Sequence, residues 1–226
     1  MKWTVPKVWD GGQCVIIGGG PSIIKQFDIP ESLVKQVYEG KADVSSYSPY
    51  LERIHAEHII AVNMAYKLGD WIDMLFFGDP SYWKKNKYDI LNFRGLRVSC
   101  APDILDVKGV KYIAKNKQQK FGITDDPRML SWNNNSGSSA INVAVHTGVK
   151  RIILLGFDMS LDTNKNQHWH KFYATDPRTI GRTLRSHLDG FGSMVHDLKK
   201  LNIEVLNCSP ESKIEGFKKV NFKDIA

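Results

Sequence analysis

The sequence predicts an α/β fold in which helices cover both faces of a largely parallel sheet, and three observations carry that prediction. Short apolar runs alternate with amphipathic stretches along the chain. The runs are continuously apolar, the pattern of strands buried on both sides. Several of them end in glycine or in a polar residue, at the edge where open parallel sheets bind ligands.

Taken in order, residues 14–18 (CVIIG) form the first strand, followed directly by Gly18, Gly19, Gly20, Pro21 and Ser22. A glycine run at a strand end permits close backbone approach, so its amides can surround a phosphate while Ser22 adds a hydroxyl. No Gly-Lys-Ser/Thr and no full GxGxxG follows, which excludes a Walker loop and the dinucleotide fingerprint. Residues 58–62 (HIIAV) form the second strand, ending at Asn63, and residues 74–77 (MLFF) the third, ending near Asp79. If these strands are neighbours, such ends converge on one crevice able to hold a ribose, base or sugar. Residues 80–91 read as a helix with Pro80 early and Asp79 as its cap.

After a strand at 96–100, residues 116–135 read as a polar loop. Next comes NNNSGSS (133–139), before a helix at 138–147 with a stripe of small residues. Asn135, Ser136, Gly137 and Ser138 thus stand where a helix N-terminus can bind an anion. The strand KRIILL (150–155) leads to Gly156, Phe157 and Asp158, then to a polar loop, 158–176, that contains His168, Trp169 and His170. A histidine there can act as a general base, with Asp158 to orient it or to hold a metal. His55, His58, His146, His187 and His196 fall in or beside regular elements and read as structural. Residues 178–200 form one long helix, kinked at Gly190 and Gly192, and 203–207 the last strand.

Composition limits the alternatives. With 226 residues, 42% of them hydrophobic and 24% charged, the chain suits one domain over residues 1–226 with a substantial core. No apolar run approaches a membrane span, and the start lacks a secretory pattern, which points to a cytoplasm. Cys14, Cys100 and Cys208 are too dispersed for a disulfide framework or a zinc site and read as core residues; no metal-ligand motif such as HExxH is present. The net charge of +7 favours phosphates, nucleotides or nucleic acid, though the lysine groups at 84–87 and 108–120 lack aromatic interleaving and read as solvated faces.

GGGPS, the strand-end Asn63, FFGDPSYW, NSGSSAINVAVHTGVKRIILLGFDM and NCSPES together resemble the bacterial CMP-sialic-acid-dependent sialyltransferases. They are more similar still to phage and bacterial proteins sharing that nucleotide-binding fold, and more weakly similar to archaeal-type 6-hydroxymethylpterin diphosphokinases. The resemblance covers residues 14–212. It implies a Rossmann-like nucleotide-sugar site, with residues 18–22 and 136–138 on the phosphate side, Asn63 and Asp79 on the nucleotide or sugar, and His170 or His168 as base. The family places Asn where Asp79 stands, and its leaving-phosphate tyrosines have no counterpart in 160–167; Lys171, Tyr173 or Arg178 are the substitutes at hand. The expectation is therefore a glycosyltransferase-like enzyme without a required metal, taking a nucleotide-sugar donor and an open hydroxyl acceptor, anionic acceptors and nucleic acid included. Two alternatives stand beside it: a diphosphokinase-like enzyme with ATP and Mg²⁺ on Asp79 and Asp158, and a non-catalytic nucleotide-binding phage protein.

Overall fold

Strand β1 (Gln13–Ile17) lies at the centre of an eight-stranded sheet, and the computed structural model describes the chain over residues 3–173 and 175–225. The other strands are β2 (His58–Val62), β3 (Met74–Phe77), β4 (Leu96–Ser99), β5 (Lys111–Tyr112), β8 (Arg151–Leu155), β9 (Glu204–Asn207) and β10 (Lys218–Lys219). Their order is β10-β9-β8-β1-β2-β3-β4-β5, and every described pairing is parallel. A pair of two-residue strands, β6 (Ala114–Lys115) and β7 (Met129–Leu130), forms a separate ribbon within what the sequence suggests is loop.

Alternate residues of each strand feed two cores. Val15, Ile17, Ile59, Ala61, Leu75, Phe77, Ile153 and Leu155 face one side, while Cys14, Ile16, Ile60, Val62, Met74, Phe76, Ile152 and Leu154 face the other. Because β1 is fully covered on both faces, each of its Val and Ile side chains contributes roughly 1.5–3 kcal/mol through burial. On the first side lie α1 (Ser22–Gln26), α2 (Glu31–Tyr38), α3 (Pro80–Asn92) and two 3₁₀ segments, Val44–Ile54 and Asn63–Leu68. On the second lie α4 (Ser136–His146), α5 (Ile180–Gly192) and α6 (Val195–Lys200). This is an α/β Rossmann-like fold. The strand order reverses beside β1, between β2 on one flank and β8 on the other, so the topological switch point lies at the C-terminal ends of β1 and β8.

Three expectations need correction. The long helix at 178–200 is two helices, broken at Ser193 and Met194. Gly190 is not a hinge: a Cβ there would lie 1.9 Å from the Asn133 carbonyl oxygen, so it allows α5 to press onto the turn before α4. Helix α4 starts at Ser136, two residues early, because Asn135 is its cap and accepts from the Ser138 amide at 2.7 Å. Asp79 precedes α3 but makes no side-chain capping bond, which leaves its carboxylate free.

The three cysteines are buried and unpaired, as the sequence suggests, and burial raises the thiols of Cys100 and Cys208 to about 12. No helix among the described residues is long and apolar enough to cross a membrane.

Candidate functional site

A cleft of about 300 Å³ opens at the switch point. Gly18, Gly19 and Gly20 after β1, Asn63 after β2, Asp79 after β3, and Gly156 to Ser160 after β8 form its floor, with Asn135, Ser136 and Gly137 on one wall. The opposite parts come from Gln167, His168 and Tyr173 of the long loop and from Thr183, Leu184 and His187 of α5. The glycine bend and the asparagine-serine stretch therefore border one hollow. Pro21, Ser22, Ser138 and His170 do not line it.

The glycine loop is built differently from a phosphate cradle. The Gly18 amide donates to Leu155 O and the Gly20 amide to Gly156 O, so only the Gly19 amide lacks a backbone partner. Added Cβ atoms at Gly18, Gly19 and Gly20 would lie 2.7 Å from Gly156 O, 2.7 Å from His168 Nδ1 and 1.7 Å from Asp158 Oδ2. The glycines thus serve close packing between the ends of β1 and β8. Trp169, wholly buried, locks the long loop onto them by donating from Nε1 to Gly18 O at 2.9 Å and from its amide to Gly19 O at 3.0 Å.

Asp158 supplies the anion that the sequence reading leaves to a ligand. Its Oδ2 accepts from the Ser22 hydroxyl at 3.0 Å and from the Ser22 amide at 3.4 Å, and the hydroxyl also meets Ser209 Oγ at 2.8 Å. Burial pushes this carboxyl up to about 6 against the lowering effect of Ser22. Ser22 is thereby engaged, and Asp158 is hydrogen-bonded to neither His168 nor His170.

The polar run 133–139 is also largely spent on local order. Asn133 closes the loop by accepting from the Gly122 amide and donating to Gly122 O, at 2.8 and 2.9 Å. Ser138 and Ser139 bond back to carbonyls of residues 132–135. Ser136 and Gly137 remain: they head α4, where helical amides have no intrahelical partner, and both line the cleft.

The histidines rearrange the expected roles. His170 is 3% exposed, packed among Trp169, Phe172 and Tyr173 and stacked on His168 at 4.9 Å; burial lowers it to about 3. His168 borders the cleft, with Nδ1 3.3 Å from Gly19 O; since a carbonyl only accepts, Nδ1 carries the proton and Nε2, which has no partner, keeps its lone pair. Burial lowers His168 to about 4. His187, structural by its helical spacing, instead lines the cleft from α5. Burial lowers its pKa and the Asp79 carboxylate opposes that shift. Its signal in the sequence is its place beside the apolar stripe of Leu184 and Leu188, on the edge of α5 that leans over the strand ends. Burial raises the Tyr173 hydroxyl to about 12, partly offset by the neighbouring Asn63 side chain. His55 stacks on Trp71, His58 on Trp9, and His146 bonds the Met129 carbonyl, as structural histidines do.

Buried neutral histidines make stability depend on pH. His170 falls from 6.5 to about 3 on folding, so its contribution is complete above pH 6.5 and is lost as pH falls towards 3; His168 acts in the same direction. Asp158 opposes them, favouring the fold below 3.8 and losing that effect as pH rises through about 6. The two histidines outweigh it. The melting temperature is therefore expected to fall between pH 6.5 and 4, and less steeply in His170→Phe, whose ring suits the aromatic surroundings; thermal scans across that range test this.

Among the described residues, no three His, Cys, Asp or Glu side chains gather as a metal site. No family model matches the sequence, and no curated protein matches it. Among solved structures, the chain is similar to the MAf glycosyltransferase from Magnetospirillum magneticum AMB-1, with a TM-score of 0.56 and 12% identity over 99% of this chain and 36% of that one. This chain thus spans about a third of that protein's length. It also aligns with the sialyltransferase CstII from Campylobacter jejuni in complex with cytidine-5'-monophosphate, at 16% identity and a TM-score of 0.48, over 92% of this chain and 84% of the other. At 12% identity, the likeness to the MAf glycosyltransferase describes a shared fold alone.

Proposed function

We propose that this chain acts as a glycosyltransferase-like enzyme, one nucleotide-binding domain over residues 1–226 that moves a sugar from a nucleotide-activated donor to a hydroxyl acceptor. The observation that carries the reading is the convergence, in one switch-point cleft, of unspent amides with a histidine and a carboxylate. A fold shared with a glycosyltransferase supports it. The amides of Gly19, Ser136 and Gly137 would receive the donor's phosphate, with the dipole of α4 favouring the charge that grows on it. Asn63 and Asp79 would hold the sugar or nucleoside.

In the transfer step the acceptor oxygen attacks the anomeric carbon. The new C–O bond forms as the bond from that carbon to the phosphate oxygen breaks, and the nucleotide leaves with the electron pair. His187 takes the acceptor's proton. Its lowered pKa keeps it neutral and receptive at pH 7, and Asp79 steadies the imidazolium once formed. His168 is the weaker base, since its buried ring resists protonation, but its free Nε2 can accept a hydrogen bond from the substrate. His170 backs it from behind the cleft.

The test is thermal unfolding with CMP-, UDP-, GDP- and dTDP-sugars and with the free nucleotides. A true ligand at about 100 times its Kd stabilises by roughly 2.7 kcal/mol, a clear shift. Stabilisation by one nucleotide and its sugar conjugates is expected; no shift with any of them contradicts the proposal.

A further inference from the structure

The electrostatics of the cleft bear on which sugar it accepts, an inference that rests on the donor site proposed above. None of the described lining residues is Lys or Arg, although the chain carries a net charge of +7. The lining includes two carboxylates, Asp79 and Asp158. Lys115 does not line it; its ammonium sits over the Trp132 ring, 3.8 Å from the centroid.

The hydrogen-bonding inventory leans the same way. Asn63 Oδ1 is buried without a partner at the end of β2, and His168 Nε2 is likewise buried without one. Asp79, exposed at the end of β3, makes no capping bond. Three acceptors from three elements thus border one small space, and the two buried ones, Asn63 Oδ1 and His168 Nε2, cost stability until a donor reaches them. A sugar's hydroxyl, amino or amide groups supply such donors. A sugar carboxylate supplies none, and would meet Asp79 with like charge, with no Lys or Arg among the described lining residues to pair with it.

We propose that the cleft takes donors whose sugar carries no carboxylate, a neutral or amino sugar that donates hydrogen bonds to Asp79, Asn63 and His168, and that Asp79 is the residue that sets this preference. An acidic sugar is disfavoured by its charge, independently of its size.

Two pairs of donors isolate the carboxylate: UDP-glucose against UDP-glucuronate, and GDP-mannose against GDP-mannuronate. Each is titrated calorimetrically into the wild-type chain and into Asp79→Asn, with UDP, GDP and CMP as references. The variant should fold normally, because Asp79 is exposed and caps nothing. In the pair whose nucleotide binds, the neutral sugar should bind at least about tenfold more tightly, and Asp79→Asn should close most of that gap by improving the acidic member. Equal or tighter binding of the acidic sugar by the wild type, or a gap unchanged in Asp79→Asn, overturns the inference while leaving the donor site standing. If CMP is the only nucleotide that binds, CMP-sialic acid should bind the wild type more weakly than CMP, and the gap should close in Asp79→Asn. Tighter binding of CMP-sialic acid overturns the inference, and failure of every nucleotide and nucleotide sugar to bind overturns the donor site itself, and this inference with it.

Discussion

Alanine at His187 is expected to lower the transfer rate by about 10²- to 10⁴-fold, the range ascribed to a positioned general base, with nucleotide affinity nearly unchanged. The asymmetry follows from position. His187 lines the cleft from α5, apart from the amides at Gly19 and at the start of α4 that would hold the phosphate. A pH profile adds a second readout: the acid limb of kcat should lie below pH 6.5, since burial lowers the imidazole, and should disappear in the variant. His168→Ala is the companion measurement. If it abolishes transfer while His187→Ala does not, the base belongs to the long loop and the assignment to α5 is wrong.

The second large effect is structural. Gly190 lies within α5, where replacing glycine by alanine ordinarily stabilises a helix by about 1 kcal/mol. Here the sign should reverse. The added methyl would stand 1.9 Å from the Asn133 carbonyl oxygen and 2.9 Å from its carbon, which are backbone atoms in a turn tied to Gly122 on both sides. Gly190→Ala should therefore cost roughly 1–3 kcal/mol, as overpacking does, and lower the melting temperature by about 2–12 °C for a chain of this size. Because Asn135 Nδ2 also reaches the His187 carbonyl at 3.4 Å, pushing α5 away displaces His187, and transfer should fall even below the melting transition. Gly192→Ala is the control. Nothing lies within 4 Å of the Cβ it would add, so it should be neutral or slightly stabilising.

These two residues also mark how far the sequence could be read. Strands β2 and β3 were legible to the residue, because short apolar runs bounded by polar ends leave little choice of limits. Asn63 and Asp79 were legible as strand ends facing one crevice, for the same reason. What local pattern could not supply were relations across long separations. The triple glycine looks like a phosphate loop until Asp158, 136 positions from Ser22, is seen to occupy the start of α1. The asparagine-serine run looks like a surplus of ligands until its bonds to Gly122 and to its own carbonyls are counted. His187 was hidden because its spacing fits the apolar stripe of a helix, and only the sheet beneath shows that this stripe ends over the cleft. The segments Val44–Ile54 and Asn63–Leu68, being 3₁₀, lack the 3.6-residue periodicity that reveals an α-helix.

A crystal structure of the chain with the nucleotide that most raises its melting temperature tests the reading most directly. Phosphate oxygens within hydrogen-bonding distance of the Gly19, Ser136 and Gly137 amides, with the nucleoside or sugar between Asp79 and His187, is the predicted result. A nucleotide seated at the other end of the strands, among Gln13, Arg53 and Phe222, would place the ligand site where the present reading has none and would contradict it.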